Sequence, residues 1–208
     1  MTSALPQIAH GDDAEELARA ELYGLLAQLW AGPPDGELLK RLQTAPTEAE
    51  ESRTVLAGPW RALVAAANAT SPEAAADEYD ALFQGVGKPE IFLYGSFYLT
   101  GFLNERPLVQ LRHELRELGL TRDAARVETE DHVAFMFEVM RYLIAGDDIA
   151  VCNLERQRRF FRTHVQTWVD GLCDAVDAHP RAVTWRAVAG LTRSFIHVET
   201  QGFDMLDA

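Results

Sequence analysis

The stretch EYDALFQGVGKPEIFLYGSFY, residues Glu78 to Tyr98, decides how this chain is read. It starts as the end of a helix, with Tyr79, Leu82 and Phe83 at i, i+3 and i+4 on one face. Gly85, Gly87 and Pro89 then stop that helix. The residues beyond them have the composition of a loop yet include Phe92, Tyr94, Phe97 and Tyr98. Aromatic rings in a connection are either buried against something or await a partner. Farther along, the segment ETEDH places Glu128, Asp131 and His132 within one helical turn.

Outward from these two segments the apolar residues keep a helical period. Asp12 or Asp13 caps a first helix whose Leu22, Leu25, Leu26 and Leu29 form a core-facing stripe, ended by Gly32-Pro33-Pro34. A short helix is expected over about Asp35 to Leu42, a further segment from the acidic run Thr47 to Glu51, and a helix beginning near Pro59 with Trp60, Leu63, Val64 and Ala67 inward. Asn68 to Pro72 ends that helix and caps the one leading to Phe83. Pro107 to Leu118 reads as a helix stopped by Gly119, and Thr129 as the cap of one running to about Ile144 with Val133, Phe137, Met140 and Ile144 inside. A single long helix is expected over Ile149 to Ala178, with Phe161, Val165, Trp168, Leu172 and Val176 inward, and a last one over Arg181 to Phe203. Only Ile91 to Tyr98 resembles a strand, and it has no partner. The expectation is an all-α, single-domain compact helical bundle over residues 12–208 behind a flexible leader, residues 1–11.

Composition narrows the function. The chain has 208 residues, 48% of them hydrophobic, enough for one substantial core. Its 32 acidic and 19 basic residues give a net charge of -13, which argues against nucleic-acid binding because phosphate recognition starts from a positive patch. Two cysteines, Cys152 and Cys173, are too few for a disulfide scaffold and fit a reduced, cytoplasmic protein. The N-terminal residues lack the basic and apolar regions of an export signal, and no apolar run reaches the length of a bilayer span. Stable membrane insertion is therefore not expected.

The sequence contains no H-E-x-x-H, P-loop, G-x-S-x-G or dinucleotide fingerprint, so no catalytic residue is assigned. Gly85-Val86-Gly87 joins no strand to a helix and reads as a turn. Glu128, Asp131 and His132 have a spacing suited to a metal or to proton transfer, but acidic residues at a helix start are already explained by the free N–H groups and the dipole there. A capping and hydrogen-bonding role for Asp131 is preferred over metal ligation, and His132 reads as a satisfied polar residue or a ligand contact. Tyr79, Leu82 and Phe83 read first as ordinary core. Beside an aromatic-lined loop they also suit the wall of a groove for an amphipathic peptide helix. Two alternatives remain: a helical metal-binding protein or enzyme using Glu128, Asp131 and His132, and a plain helical adaptor with the aromatic loop as an oligomer interface.

The order Y-x-x-L-F-x-G (Tyr79, Leu82, Phe83, Gly85), Y-x-S-x-Y (Tyr94, Ser96, Tyr98) and E-x-x-D-H (Glu128, Asp131, His132) resembles the TorD/DmsD family of redox-enzyme maturation chaperones. Ala20 to Leu26 before Pro33-Pro34, and Gln157 to Trp168, extend the likeness over roughly the whole chain. The chain departs from the family at Thr129 and Leu93, where prolines are usual; both bear on loop geometry. The resemblance implies a cytoplasmic all-helical chaperone, without catalytic activity, that binds the twin-arginine signal peptide and apo form of a molybdopterin oxidoreductase catalytic subunit. It would hold that subunit back from export until its cofactor is inserted. Formate dehydrogenase, S- or N-oxide reductase and nitrate reductase types are all implied as clients, with no selection among them. No cofactor of its own is expected, and tight binding of the molybdenum cofactor or a guanine nucleotide is not. By the same resemblance Tyr79, Leu82 and Phe83 belong to the peptide-binding surface, Tyr94, Ser96 and Tyr98 to the adjoining loop, and Asp131 with His132 to its polar end. The physics of a signal with two guanidinium groups ahead of an apolar stretch adds Glu128 and Asp131 as their carboxylate partners. A monomer is expected, or a dimer exchanging helices through a hinge at Gly119 to Val127.

Overall fold

A computed structural model of the chain describes residues 11–47, 54–85, 87–123 and 127–206. The expected leader (apart from Gly11), most of the acidic segment Thr47 to Glu51, and part of the Gly119 to Val127 connection lie outside the described residues. Ten α-helices occur among those described: α1 (Gly11–Ala31), α2 (Gly36–Gln43), α3 (Ala57–Asn68), α4 (Pro72–Tyr79), α5 (Gly95–Thr100), α6 (Arg106–Glu117), α7 (Val133–Ala145), α8 (Leu154–Phe160), α9 (Val169–Ala178) and α10 (Thr184–Met205). There is no strand among the described residues, only an isolated antiparallel bridge between Tyr94 and His132. The fold is all-α, of the TorD-like type expected.

The centre of the bundle is the pair α1 and α7, which pack along each other more extensively than any other two helices. Helix α7 is apolar on nearly every side, and Val133, Phe137, Met140 and Leu143 are fully enclosed. A helix of that composition must be covered all round. The deepest face of α1 is Tyr23, Leu26, Ala27 and Trp30, while Leu22 and Leu25 are only half-buried. The expected stripe thus lies rotated: a tyrosine and a tryptophan reach inward because each polar atom finds a partner. Trp30 Nε1 donates to Thr192 Oγ1 at 3.0 Å and Tyr23 Oη to Glu199 Oε2 at 3.1 Å. Arg19 closes the same site with two bonds to the Glu199 carboxylate, 2.7 and 2.8 Å, tying α1 to α10.

Several boundaries differ from the sequence reading. The expected long helix over Ile149 to Ala178 starts only at Leu154, where Asn153 caps it. It then widens into a π-turn at Phe161–Val165 and breaks before α9, although the five residues expected inward are all buried. Helix α4 also ends in a π-turn, Asp80–Gln84. Helix α7 starts at Val133, with His132 as its cap, because Thr129 is engaged elsewhere. The segment read as loop contains the short helix α5.

The start of α10 has no side-chain cap of its own. Glu78 supplies one from α4: its carboxylate accepts from the backbone N–H groups of Val183, Thr184 and Trp185 at 2.8, 3.1 and 3.0 Å. The acidic residue that opens the first motif is therefore used to dock the last helix. Glu78→Ala is expected to lower the unfolding free energy by about 1–2 kcal/mol, read from urea denaturation monitored by circular dichroism, with Glu78→Gln losing less.

Candidate functional site: a clasped loop beside an acidic cleft

The two motif segments meet through one side chain. Asp131 is 1% exposed, and its carboxylate accepts from the backbone N–H of Ser96 at 3.0 Å, from the Ser96 hydroxyl in a short bond, and from the Thr129 hydroxyl at 2.6 Å. Backbone bonds flank it on both sides, Gly95 N–H to the Asp131 carbonyl and Val133 N–H to the Leu93 carbonyl, both 2.9 Å. Asp131 thus caps α5, which has no side-chain cap from its own N-terminal residue. The carboxylate is surrounded by donors of its own protein.

The aromatic residues of the loop are set by the same clasp. Tyr94 lies edge-on to the His132 ring, centroids 5.2 Å apart, and Tyr98 stacks on Trp168 at 5.6 Å while its hydroxyl donates to the Phe92 carbonyl at 2.8 Å. Gly95 lets this happen: a β-carbon there would lie 2.9 Å from Trp168 Nε1 and 3.0 Å from its ring. Burial, with Glu128 and Asp131 nearby, raises the Tyr94 phenol above its usual value, and burial does the same for Tyr98.

His132 is 6% exposed and its Nδ1 accepts from the Ala134 N–H at 3.2 Å. Burial pushes the imidazole down to about 4, overcoming the pull of Glu128 and Asp131 in the opposite direction. The ring is therefore neutral near pH 7. With Asp131 turned to Ser96, the Glu128, Asp131 and His132 set does not converge on a common point. Among the described residues no group of three or more His, Cys, Asp and Glu side chains is placed to hold a metal.

Beside this clasp is an open cleft of about 250 Å³ between α1 and α7. Ala27 and Ala31 of α1 face His132 and Phe135 across it, and Glu128 and Glu138 stand at its edge. Glu128 is exposed, with no ion-pair partner among the described residues. Arg122, also on the wall, donates to the Glu128 carbonyl at 3.1 Å and approaches Glu130 at 3.9 Å. Glu130 is further held by Arg112 of α6 at 2.8 Å.

Tyr79, Leu82 and Phe83 are not on the walls of this cleft. They are 3%, 0% and 7% exposed and sit in the aromatic core behind it. Tyr79 lies 5.0 Å from Phe83 and 5.2 Å from Trp185, and Phe83 is edge-on to Trp30 and Trp185, each at 5.9 Å. The Tyr79 hydroxyl donates to the Trp30 carbonyl at 3.2 Å. Ser96 meets Asp131 and Tyr94 meets His132, while Tyr98 turns to Trp168; of the six residues only Glu128 and His132 line the cleft, and Tyr79, Leu82 and Phe83 lie in the core. Sequence reasoning does not single out Glu138 or the α1 alanines. Their only signal is the small pair Ala27 and Ala31 at i, i+4, which leaves room beside α7.

A family model described as nitrate reductase delta subunit matches residues 49–174, more than half of the chain and all of both motif segments. The chain belongs to this family, that of the TorD/DmsD-type maturation chaperones. Its members are chaperones of molybdoenzymes, serving a catalytic subunit of the nitrate reductase type, and are not catalysts. No curated protein matches the chain. Among the described residues no helix is long and apolar enough to cross a membrane.

This geometry has two measurable consequences. Asp131→Ala leaves the buried Ser96 N–H without its acceptor and should cost about 3 kcal/mol in chemical denaturation. His132 has a folded value near 4 against about 6.5 unfolded, so the unfolded chain binds the extra proton between those values. Its contribution is full above pH 6.5 and is lost as pH falls toward 4, by an amount on the order of 3 kcal/mol. In His132→Asn, which keeps a capping acceptor, unfolding free energy measured from pH 7 to 4 should fall less steeply than in the unmodified protein.

Proposed function

We propose that the protein is a cytoplasmic chaperone that binds the twin-arginine signal peptide of an apo molybdopterin oxidoreductase subunit and delays its export while the cofactor is inserted. The observation that carries this reading is the cleft between α1 and α7: apolar side chains along it and two carboxylates, Glu128 and Glu138, at its edge. A guanidinium group pairs with carboxylate in a fixed bidentate geometry, and apolar walls suit the stems and the apolar residues of the signal. The family match favours a client of the nitrate reductase type over the formate dehydrogenase or S- and N-oxide reductase types.

In this reading Glu128 receives a signal arginine directly, His132 forms part of the wall with Tyr94 packed edge-on against its ring, and Asp131 acts through Ser96 by holding the loop that carries Tyr94 and Tyr98. Tyr79, Leu82 and Phe83 contribute from behind the wall, as the packed layer that fixes the π-turn and the loop after it. The working unit is residues 12–208 as one domain, and it acts as a monomer.

Isothermal titration calorimetry with a synthetic peptide of two consecutive arginines ahead of an apolar stretch tests the assignment. The Glu128→Gln, Glu138→Gln double variant, folded by circular dichroism, should bind roughly tenfold more weakly. Undiminished affinity in the double variant would remove the cleft from the peptide site.

A further inference from the structure

A second cleft adjoins the first along the α1 and α7 seam, and its charge is opposite to that of the first. Gly24 stands in the middle of α1, where glycine weakens a helix relative to alanine. Arg141 of α7 explains it. A β-carbon at position 24 would lie 3.0 Å from Arg141 Cδ and 3.2 Å from Nε, so the bare backbone lets this side chain lie along α1. Arg41 of α2 and Trp60 of α3 join it around a cleft of about 470 Å³. The Trp60 ring is fixed by its Nε1 donating to the Pro46 carbonyl at 3.0 Å.

Two guanidinium groups in one cleft run against the net charge of -13. Arg41 has no ion-pair partner among the described residues. Arg141 pairs with Glu138 at 3.2 Å, both half-exposed, and an exposed pair of this kind exchanges readily for another carboxylate. Glu21, also on the wall, leaves the cleft with more positive than negative side chains. The half-buried Leu22 and Leu25 make part of the wall apolar, and the volume is large for a single inorganic anion, so the shape suits a stretch of polypeptide. Gln28 lines both clefts and the Glu138–Arg141 pair joins them, so a chain running along the seam meets carboxylates and then guanidinium groups.

We propose that the cleft of Arg41, Arg141 and Trp60 takes an acidic stretch of polypeptide, Arg141 being held in place over Gly24. That this stretch comes from the same client as the basic one rests on the function proposed above.

The test is fluorescence anisotropy with a labelled, end-blocked Leu-Glu-Glu-Leu peptide, and Leu-Gln-Gln-Leu as its neutral counterpart. The acidic peptide should bind saturably, lose affinity with added salt, and bind about tenfold more weakly to Arg41→Ala, Arg141→Ala. Gly24→Ala, which keeps both charges and favours the helix, should weaken it severalfold with the fold intact by circular dichroism. Absence of saturable binding, equal binding of the neutral peptide, or undiminished binding by the variants would overturn the proposal. So would displacement by an equimolar amount of inorganic phosphate, which would make this a small-anion site. The twin-arginine peptide is titrated in parallel. Its failure to bind while the acidic peptide succeeds would sink the client reading and leave the cleft standing, and the reverse result would sink the cleft alone.

Discussion

The structure around the cleft depends on one buried carboxylate. Asp131 reaches across 35 positions of sequence to accept both the backbone N–H and the hydroxyl of Ser96. A charged group removed from water is tolerable only when its oxygens are bonded. Here Thr129 bonds the second oxygen, so the site is satisfied from three directions. Once that clasp is made, little freedom remains nearby. Helix α5 has its cap, His132 is placed to start α7, and Tyr94 is set against the imidazole. Trp168 then closes over Gly95 and Tyr98, fixing the loop to the far side of the bundle.

On the proposed function, this division of labour separates the residues that build the site from those offered to a ligand. Asp131, Ser96, Tyr79, Leu82 and Phe83 are all enclosed, and each is occupied within the protein. On the proposed function, what remains for a partner is the rim: Glu128, Glu138 and the cleft walls between α1 and α7, with Arg41 and Arg141 in the adjoining cleft. The proposed receptor surface is therefore bipolar, and its two halves share the helix pair that also forms the centre of the core.

The fold class was legible because nearly every apolar residue keeps a 3.6-residue period, and the positions of Leu63, Phe137, Val165 and Leu172 could be read directly from it. The rotation of α1 was not. Tyr23 and Trp30 lie outside the expected leucine stripe, and the partners that let them turn inward, Glu199 and Thr192, come from the other end of the chain. The break between α8 and α9 was hidden for a similar reason, since Phe161 to Val176 keeps its apolar period through a π-turn that only the three-dimensional packing imposes. For the site, the motif order singled out two segments that the structure joins through Asp131 and Ser96. It could not show that Asp131 faces Ser96, because a carboxylate two residues before a helix start reads equally well as a cap for that helix. Nor could it show that the Tyr79 to Phe83 face is spent on Trp30 and Trp185.

The central claim is that the outer surface of the clasped segment, together with the end of α1, receives the client. Backbone amide shifts of the isotope-labelled protein, monitored as a twin-arginine peptide is added, test this most directly. The account predicts that the perturbed amides cluster at Ala27 to Ala31 and at Glu128 to Glu138, with Tyr79 to Phe83 shifting little. Shifts confined to another face, such as the exposed Leu99, Phe102 and Leu103, with the α1 and α7 amides unmoved, would contradict it.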